Sequence, residues 1–419
     1  DLSSYCTGAP RELPSFPTRR SSDLSLTAAR GVDLDVTAAN GGALYAIGAT
    51  VGASQKVALS GTIAVNHGGS DTEAVIGEAE DAAGNIVTKD KTTLTNVADT
   101  NVLATGSDTR VAAIGDFGFG GSVAVGGAVA SNDVGGAGTG ETGQKTRAAI
   151  VNTDLTTTDA GKVAVHAGDT SKLTTFSFGI GGSGNVAVQG SAATALVNKD
   201  ITAEAKKSVI KAAAGGTTKD VAVTADSKST VTTKSVVGAL SISGAGGAGV
   251  SVARINQDTT ASVTDSEITD TNTLVQATGN SDITTVGIGA AIAGNVAVSG
   301  NVAVNIIGNN VDASVARSTL TSTGNIGVLA NGREDLGNYA GVVGLSATEA
   351  GAGIGISTSY NEINGTTAAT VTDSSLKADG TDDAAVALTQ SMDKDGVKTE
   401  TKDGDQIVSD KRKGVVTAA

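Results

Sequence analysis

A short pattern that keeps returning constrains this chain more than any other feature. An apolar residue, any residue, then Ala before a polar turn occurs at Val36 and Ala38, Val102 and Ala104, Val165 and Ala167, Val223 and Ala225, Val275 and Ala277, and Val328 and Ala330. The successive alanines are 66, 63, 58, 52 and 53 residues apart. A second element, an apolar-Ala-apolar run followed by a small residue and Gly, occupies 57–61, 123–127, 186–190 and 296–300, with degenerate copies at 250–255 and 354–357. A third ends in Ser or Thr, one residue, then an aliphatic residue at Leu155, Ile210, Ile268, Leu320 and Leu376, which are 55, 58, 52 and 56 apart. Independent elements that keep one period mean about six divergent repeats of 52–66 residues and a partial one.

Within each repeat the apolar alternation has period two, the signature of strands. In 162–169, Val163, Val165 and Ala167 share one face while Ala164 and His166 share the other. In 294–308, Val296 and Val298 share a face, Gly300 interrupts, and Val302, Val304 and Ile306 resume. Gly, Asn, Asp and Thr bound these runs, so the expected strands are four to six residues long. One such repeat cannot bury both faces of its strands, whereas stacked repeats pair every backbone amide with the coil above and below. The predicted fold is all-β, a parallel β-helix (β-solenoid) of about 20 residues per coil, two to three coils per repeat, with inward Val, Ile and Ala. Roughly twenty coils at about 4.8 Å give a rod on the order of 90–100 Å long. On that spacing Asn66, Asn132, Asn305 and Asn361 recur once per repeat without being vertical neighbours, so no asparagine ladder is expected.

Composition excludes several function classes. Among 419 residues there are 57 Gly, 2 His, 1 Cys, 5 Phe, 4 Tyr and no Trp, and the net charge is −14. An acidic chain offers no basic face to a phosphate backbone, so no nucleic-acid partner is expected. Few histidines and aromatics leave little material for acid–base catalysis, metal clusters or stacking platforms. The expectation is a non-enzyme with no catalytic residues, no cofactor and no metal, and its binding residues are not assignable from sequence.

Pro10, Pro14, Pro17 and Cys6 all lie in the first 17 residues, and 15–24 read SFPTRRSSDL, the peptide a common sequencing adapter encodes. Residues 1–24 are therefore read as a translated adapter and set aside. Residues 25–390 form the repeat region, and 391–419 a charged loop or hairpin with a truncated repeat. Both ends fall inside the repeating pattern, so a longer parent chain is expected.

Segments 154–169, 266–280 and 318–332, together with the Gly-rich 121–132 and 294–305 blocks, resemble the haemagglutinin-type repeats of large secreted bacterial surface proteins. The combination is similar to the leukotoxin-like filamentous adhesins of diderm anaerobes. The resemblance spans about 25–395. It implies a parallel β-helical adhesin or toxin stalk, exported by a two-partner or autotransporter (type V) route through an outer-membrane pore. Its partners would be host-cell or matrix receptors, or a neighbouring bacterial surface. The alternatives are a membrane-active leukotoxin-like cytotoxin and a polysaccharide-active β-helical enzyme.

The residues with chemical potential have plainer readings. His67 and His166 read as surface or turn histidines, and Asp265 and Asp373 as turn residues, since the nine-residue GGxGxD calcium repeat is absent. Phe117 and Phe119, like Phe176 and Phe178, occupy comparable places in consecutive repeats and read as stacked packing under a face, with a sugar platform as the alternative. Residues 286–308 carry no charge; their alternation reads as buried solenoid strands, and a membrane-inserting segment is the alternative. The many glycines read as turn and bulge residues.

Overall fold

The computed structural model describes residues 25–27, 31–77, 91–136, 143–213, 216 and 218–380, and seven short stretches between 386 and 419. The suspected adapter, 1–24, lies outside the described residues. Among the described residues every regular element is a strand, and the strands of the repeats pair in parallel and in register. The protein is a parallel β-solenoid.

Its coil differs from the one expected. Each repeat is one coil, not two or three. Ala38, Ala104, Ala167, Ala225, Ala277 and Ala330 are direct neighbours across successive strands, so the repeat length is the pairing offset itself. The strands are correspondingly long. An outgoing strand such as Val163–Ser183 and a return strand such as Val186–Lys206 each contain 21 residues, about 70 Å at 3.3 Å per residue. Six coils rise only about 29 Å at 4.8 Å each. The object is a broad plate of two facing sheets, not a thin rod.

The outgoing sheet stacks Leu34–Ser54, Thr100–Gly120, Val163–Ser183, Thr218–Ser241, Glu267–Ala293 and Ile326–Ser346. A turn of a few residues, such as 184–185 or 294–295, folds each chain back into the return sheet, which includes Val57–Gly68, Val123–Val134, Val186–Lys206, Gly244–Thr264, Val296–Ala316 and Ala352–Ile363. A short third side closes the coil at Thr92–Val97, Thr153–Thr157, Val209–Ala212, the first residues of Glu267–Ala293, Thr319–Ser322 and Ser375–Ala378. Repeat lengths differ because the longer copies carry extra residues between Gly77 and Thr92 and between Val134 and Gln144.

The third side makes one end of the coil triangular. This base holds the main hydrophobic core: Val163, Val165 and Ala167 from the outgoing strand, Ile201, Ala203 and Ala205 from the return strand, and Leu155 and Ile210 from the short side, with their counterparts above and below. Beyond it the sheets run on as a flat wing, so close together that one side chain crosses the gap. Ser191 Oγ donates to Ser177 O at 3.0 Å, Ser177 Oγ to Ala128 O at 2.9 Å, and Asn132 Nδ2 to Thr174 O at 2.8 Å. Ordinary facing sheets sit about 10 Å apart, too far for such a reach. A Cβ at Gly179 would lie 3.1 Å from Gly190 O and one at Gly247 3.0 Å from Ala290 O. Close approach therefore favours Gly, Ala and Ser at such positions, among which Asp116, Gln189, Asn301 and Val237 are also buried, and many glycines sit in mid-strand and not at turns or bulges.

The asparagines also correct the expectation. Asn66 and Asn132 are register neighbours joined by an Nδ2-to-Oδ1 bond of 2.8 Å, and Asn305 and Asn361 are joined likewise at 3.1 Å. Between the pairs the same column holds Ala195 and Ala253. There the facing column supplies Thr175, Thr233 and Thr285, with Thr233 and Thr285 bonded to each other at 2.9 Å. The ladder exists as two pairs because one repeat is one coil.

At the corner leading into the short side, Asn152, Lys207, Asp265, Arg317 and Asp373 all adopt φ between 47° and 51°. Left-handed backbone is unfavourable for side chains other than Asn and Asp, and the next residue answers it with a ladder of hydroxyls. The N–H of Ser208 donates to Ser266 Oγ at 3.1 Å, that of Ser266 to Ser318 Oγ at 3.1 Å, and that of Ser318 to Ser374 Oγ at 3.0 Å. Each hydroxyl donates back two residues, as Ser266 does to Thr264 O at 2.8 Å. The third sequence element is this corner. Ser266→Ala leaves the Ser208 N–H without its acceptor in a buried site, and should cost about 1–2 kcal/mol. Urea unfolding should show a lower midpoint with an unchanged slope.

The charged stretch after the sixth coil contains three two-stranded antiparallel ribbons, Val386–Ala387 with Lys411–Arg412, Ser391–Asp393 with Gly396–Lys398, and Thr401–Asp403 with Gln406–Val408. Val415–Ala418 then pairs in parallel with Ile326–Leu329.

Candidate functional site

Two places on the coil concentrate chemical potential: a polar seam between base and wing, and the outer surface of the wing.

The seam begins where charge interrupts an inward apolar run. Asp169 shares the parity of Val165 and Ala167, and Lys199 that of Ile201 and Ala203, so both point inside. Lys199 Nζ donates to Asp169 Oδ1 and, at 3.2 Å, to Asp108 Oδ2. Arg110, 3% exposed, donates to Asp133 O, to Gly68 O at 2.9 Å and to Asp108 Oδ1 at 3.3 Å. Two cations thus balance two carboxylates in a nearly dry interior. Above Lys199 the column continues as Gln257 and Asn309. Gln257 bonds Ser227, Ser229 and Asn309 at 2.7–3.0 Å, and Asn309 Nδ2 donates to Glu334 Oε1 at 2.8 Å. A polar thread therefore runs through five coils. No candidate drawn from sequence pointed to it, although charges at inward parity were its visible signal.

A pocket of about 320 Å³ opens beside the seam, lined among others by His166, Asp169, Asp226, Ser227 and Lys228. His166 Nδ1 lies 2.9 Å from Thr224 Oγ1 and 3.6 Å from Asp226 Oδ2. The Asp169 carboxylate is already held by Lys199 and by the Thr146 hydroxyl at 2.9 Å. His67 lies on the outer side of the return sheet with Nδ1 2.9 Å from Asp133 Oδ2. The structure does not bring the two histidines together. Asp265 and Asp373 occupy left-handed corners. Arg317 hydrogen-bonds Asp265 at 2.7 and 3.0 Å and holds its carboxyl below the usual range. Among the described residues no group of three or more His, Cys, Asp or Glu is placed to hold a metal.

One carboxyl moves the other way. Asp270, 1% exposed at the base corner, accepts from Ser322 and, at 2.8 Å, from Thr273. Burial outweighs those bonds and pushes its pKa up to about 7.

The wing surface differs from expectation. In the apolar-Ala-apolar blocks the Ala points inward and its neighbours point out: Ala297 is buried while Val298 is 43% exposed. Residues 286–308 are accordingly half buried and half exposed, and Gly300 keeps the phase of its strand instead of interrupting it. The phenylalanines are also on the outside. Phe117 stands in register with Ile180 and Phe176 with Ala113, so the pairs are offset, and Phe117 meets Phe178 diagonally with centroids 5.5 Å apart.

On the return sheet three outward columns run side by side. Leu59, Val125, Val188, Gly246, Val298 and Ile354 form one ridge; Ile63, Val129, Ala192, Val250, Val302 and Thr358 form another; Gly61, Gly127, Gly190, Ala248 and Gly300 form the furrow between them, which Ile356 fills at the sixth coil. Charge begins only two columns further on, at Asp133, Arg254 and Glu362. Monomers seldom leave contiguous apolar area of this kind in water.

Two measurements check the interior. Lys199→Met leaves Asp108 and Asp169 buried without their shared cation and should cost about 3–5 kcal/mol in denaturant unfolding. Because the folded pKa of Asp270 lies above its unfolded value, the stability it contributes is fully present below about pH 4 and is lost as pH rises through 7. The difference in unfolding free energy between wild type and Asp270→Asn should therefore shift by several kcal/mol, on the order of 4, between pH 4 and pH 8.

No protein-family model, no curated protein and no solved structure matches this chain.

Proposed function

We propose that this chain is part of a secreted, surface-displayed bacterial adhesin that works by contact and not by catalysis. The observation that carries the reading is the wing. It turns a ribbed apolar surface outward over six coils, while the ionic groups of the seam are spent on one another inside. The resemblance of the repeats to haemagglutinin-type surface proteins supports the same reading and supplies its partners: host-cell or matrix receptors, or a neighbouring bacterial surface, reached after export through an outer-membrane pore. The plate geometry changes how such a protein would act. Contact comes from breadth of face, and reach comes only from stacking further coils.

A second reading, a membrane-active leukotoxin-like protein, is favoured by residues 286–308, which turn around the wing tip without a charge and expose Ile288, Ile292, Val296 and Val298. Binding of the purified chain to epithelial cells and matrix proteins, with dye leakage read in the same wells, separates the two. Saturable binding without leakage is the expected result. Leakage would replace the adhesin with the membrane-active reading, and neither response would remove contact as the role of this chain.

A further inference from the structure

The return face of the wing has a shape that calls for a particular partner. Its outward positions in 57–65, 123–131, 186–194, 244–252, 296–304 and 352–360 carry no charged residue, and all but Ser131, Thr194, Thr358 and Tyr360 are Val, Ile, Leu, Ala or Gly. Leu59 and Ile63 are each 75% exposed. The furrow between the ridges is not imposed by the fold. A Cβ at Gly127 would meet nothing within 4 Å; at Gly61, Gly190 and Gly300 its nearest contacts would be backbone oxygens at 3.7, 4.0 and 3.9 Å. None of the four has positive φ. Side chains would fit there, and β-branched ones would suit the strand better than Gly does, so the empty furrow matters to something outside the coil.

We infer that the return face of the wing is a self-association surface on which a second copy of this chain docks face to face, its aliphatic ridge seated in the glycine furrow. Ridges and furrow run parallel to the solenoid axis at fixed spacing, so a two-fold parallel to that axis, lying between a ridge and the furrow, lays the ridge of each copy along the furrow of the other. One patch thereby serves both partners, as an isologous contact requires. The area is sufficient. Nine residues by the five coils with an open furrow is about 710 Å² per copy, and about 1,400 Å² for the pair, within the range of a standard stable interface. The absence of charge removes the repulsion that two acidic chains, each −14, would otherwise meet.

A lipid bilayer fits the same plate less well. The turns at the wing tip carry Lys56 and Glu349, and Lys234 stands on the opposite outer face. Insertion would carry those charges into hydrocarbon, whereas a second copy leaves them in water. This inference does not depend on what the chain attaches to, so it stands or falls separately from the adhesin reading.

The test is sedimentation velocity of the full chain at about 1–100 μM, a range that resolves micromolar association, with the same samples mixed with neutral phosphatidylcholine vesicles. Wild type should sediment as a dimer of the 40.7 kDa chain. The double variant Gly127→Lys with Gly300→Lys places a charge in the furrow at two open positions, and should weaken association at least about tenfold with an unchanged β circular dichroism spectrum and thermal midpoint. Ile288→Lys, on the opposite face, should leave the dimer intact. A monomeric wild type, a dimer indifferent to the furrow lysines, or equal loss with Ile288→Lys would each overturn the inference. Vesicle binding by a chain that stays monomeric would overturn it in favour of lipid.

Discussion

Stacking in register is the constraint on which everything else in this molecule rests. Each strand residue meets its counterpart one repeat away, with pairing offsets of 66, 63, 58, 52 and 53 residues along the outgoing sheet. A long strand held on both sides can satisfy its backbone amides only if no coil slips. A slip of one residue would send every inward group outward. The columns make that slip costly. Aliphatic groups lock the base, hydroxyls the corner, and amide pairs the wing, and each bonds best to its own kind one coil away. Where a column breaks, as at Ala195 and Ala253, the facing strand supplies Thr175 and Thr233 in its place.

The base was legible because its signals are local and of one kind. Val165 and Ala167 alternate cleanly, and the polar-Ser-x-aliphatic corner ending at Ile268 or Leu320 marks a left-handed residue, a hydroxyl and a buried aliphatic in sequence order. The size of the coil was not legible. Gly300 and the glycines of 179–182 look like strand ends, because Gly usually weakens a strand. Here the sheets lie close enough that a Cβ at Gly179 or Gly289 would press on the facing carbonyl, and the strand continues through them. Taking glycines for boundaries shortened the strands, multiplied the coils and pulled Asn66 and Asn132 apart.

Alternation also leaves the choice of face open. In the base Val163 and Val165 turn in, and on the return face of the wing Val296 and Val298 turn out, with the same period. What distinguishes the two is the distance to the opposite sheet, which the third side sets by propping the base open. The seam sits between the base core and a second buried aliphatic cluster that includes Leu173, Val197, Val231, Ile255, Ile283 and Ile307. Long polar side chains bridge the two sheets there: Lys199 to Asp169, and Gln257 to Ser227 and Ser229. Buried ion pairs seldom add net stability over apolar packing. Their clearer use here is alignment, since Lys199 reaches Asp108 only when two coils are stacked in the one register.

One coil per repeat also fixes how such a chain can acquire structure. Pairing along the outgoing sheet joins residues 52 to 66 apart, and even the contacts inside one coil join its two strands across the gap, as Lys199 with Asp169. Contacts this distant in sequence make folding slow on topological grounds. A chain delivered end first gains nothing from its first twenty or thirty residues. Order then advances in quanta: each time about sixty residues become free, one whole layer closes onto the edge already formed, and that edge is the template for the next.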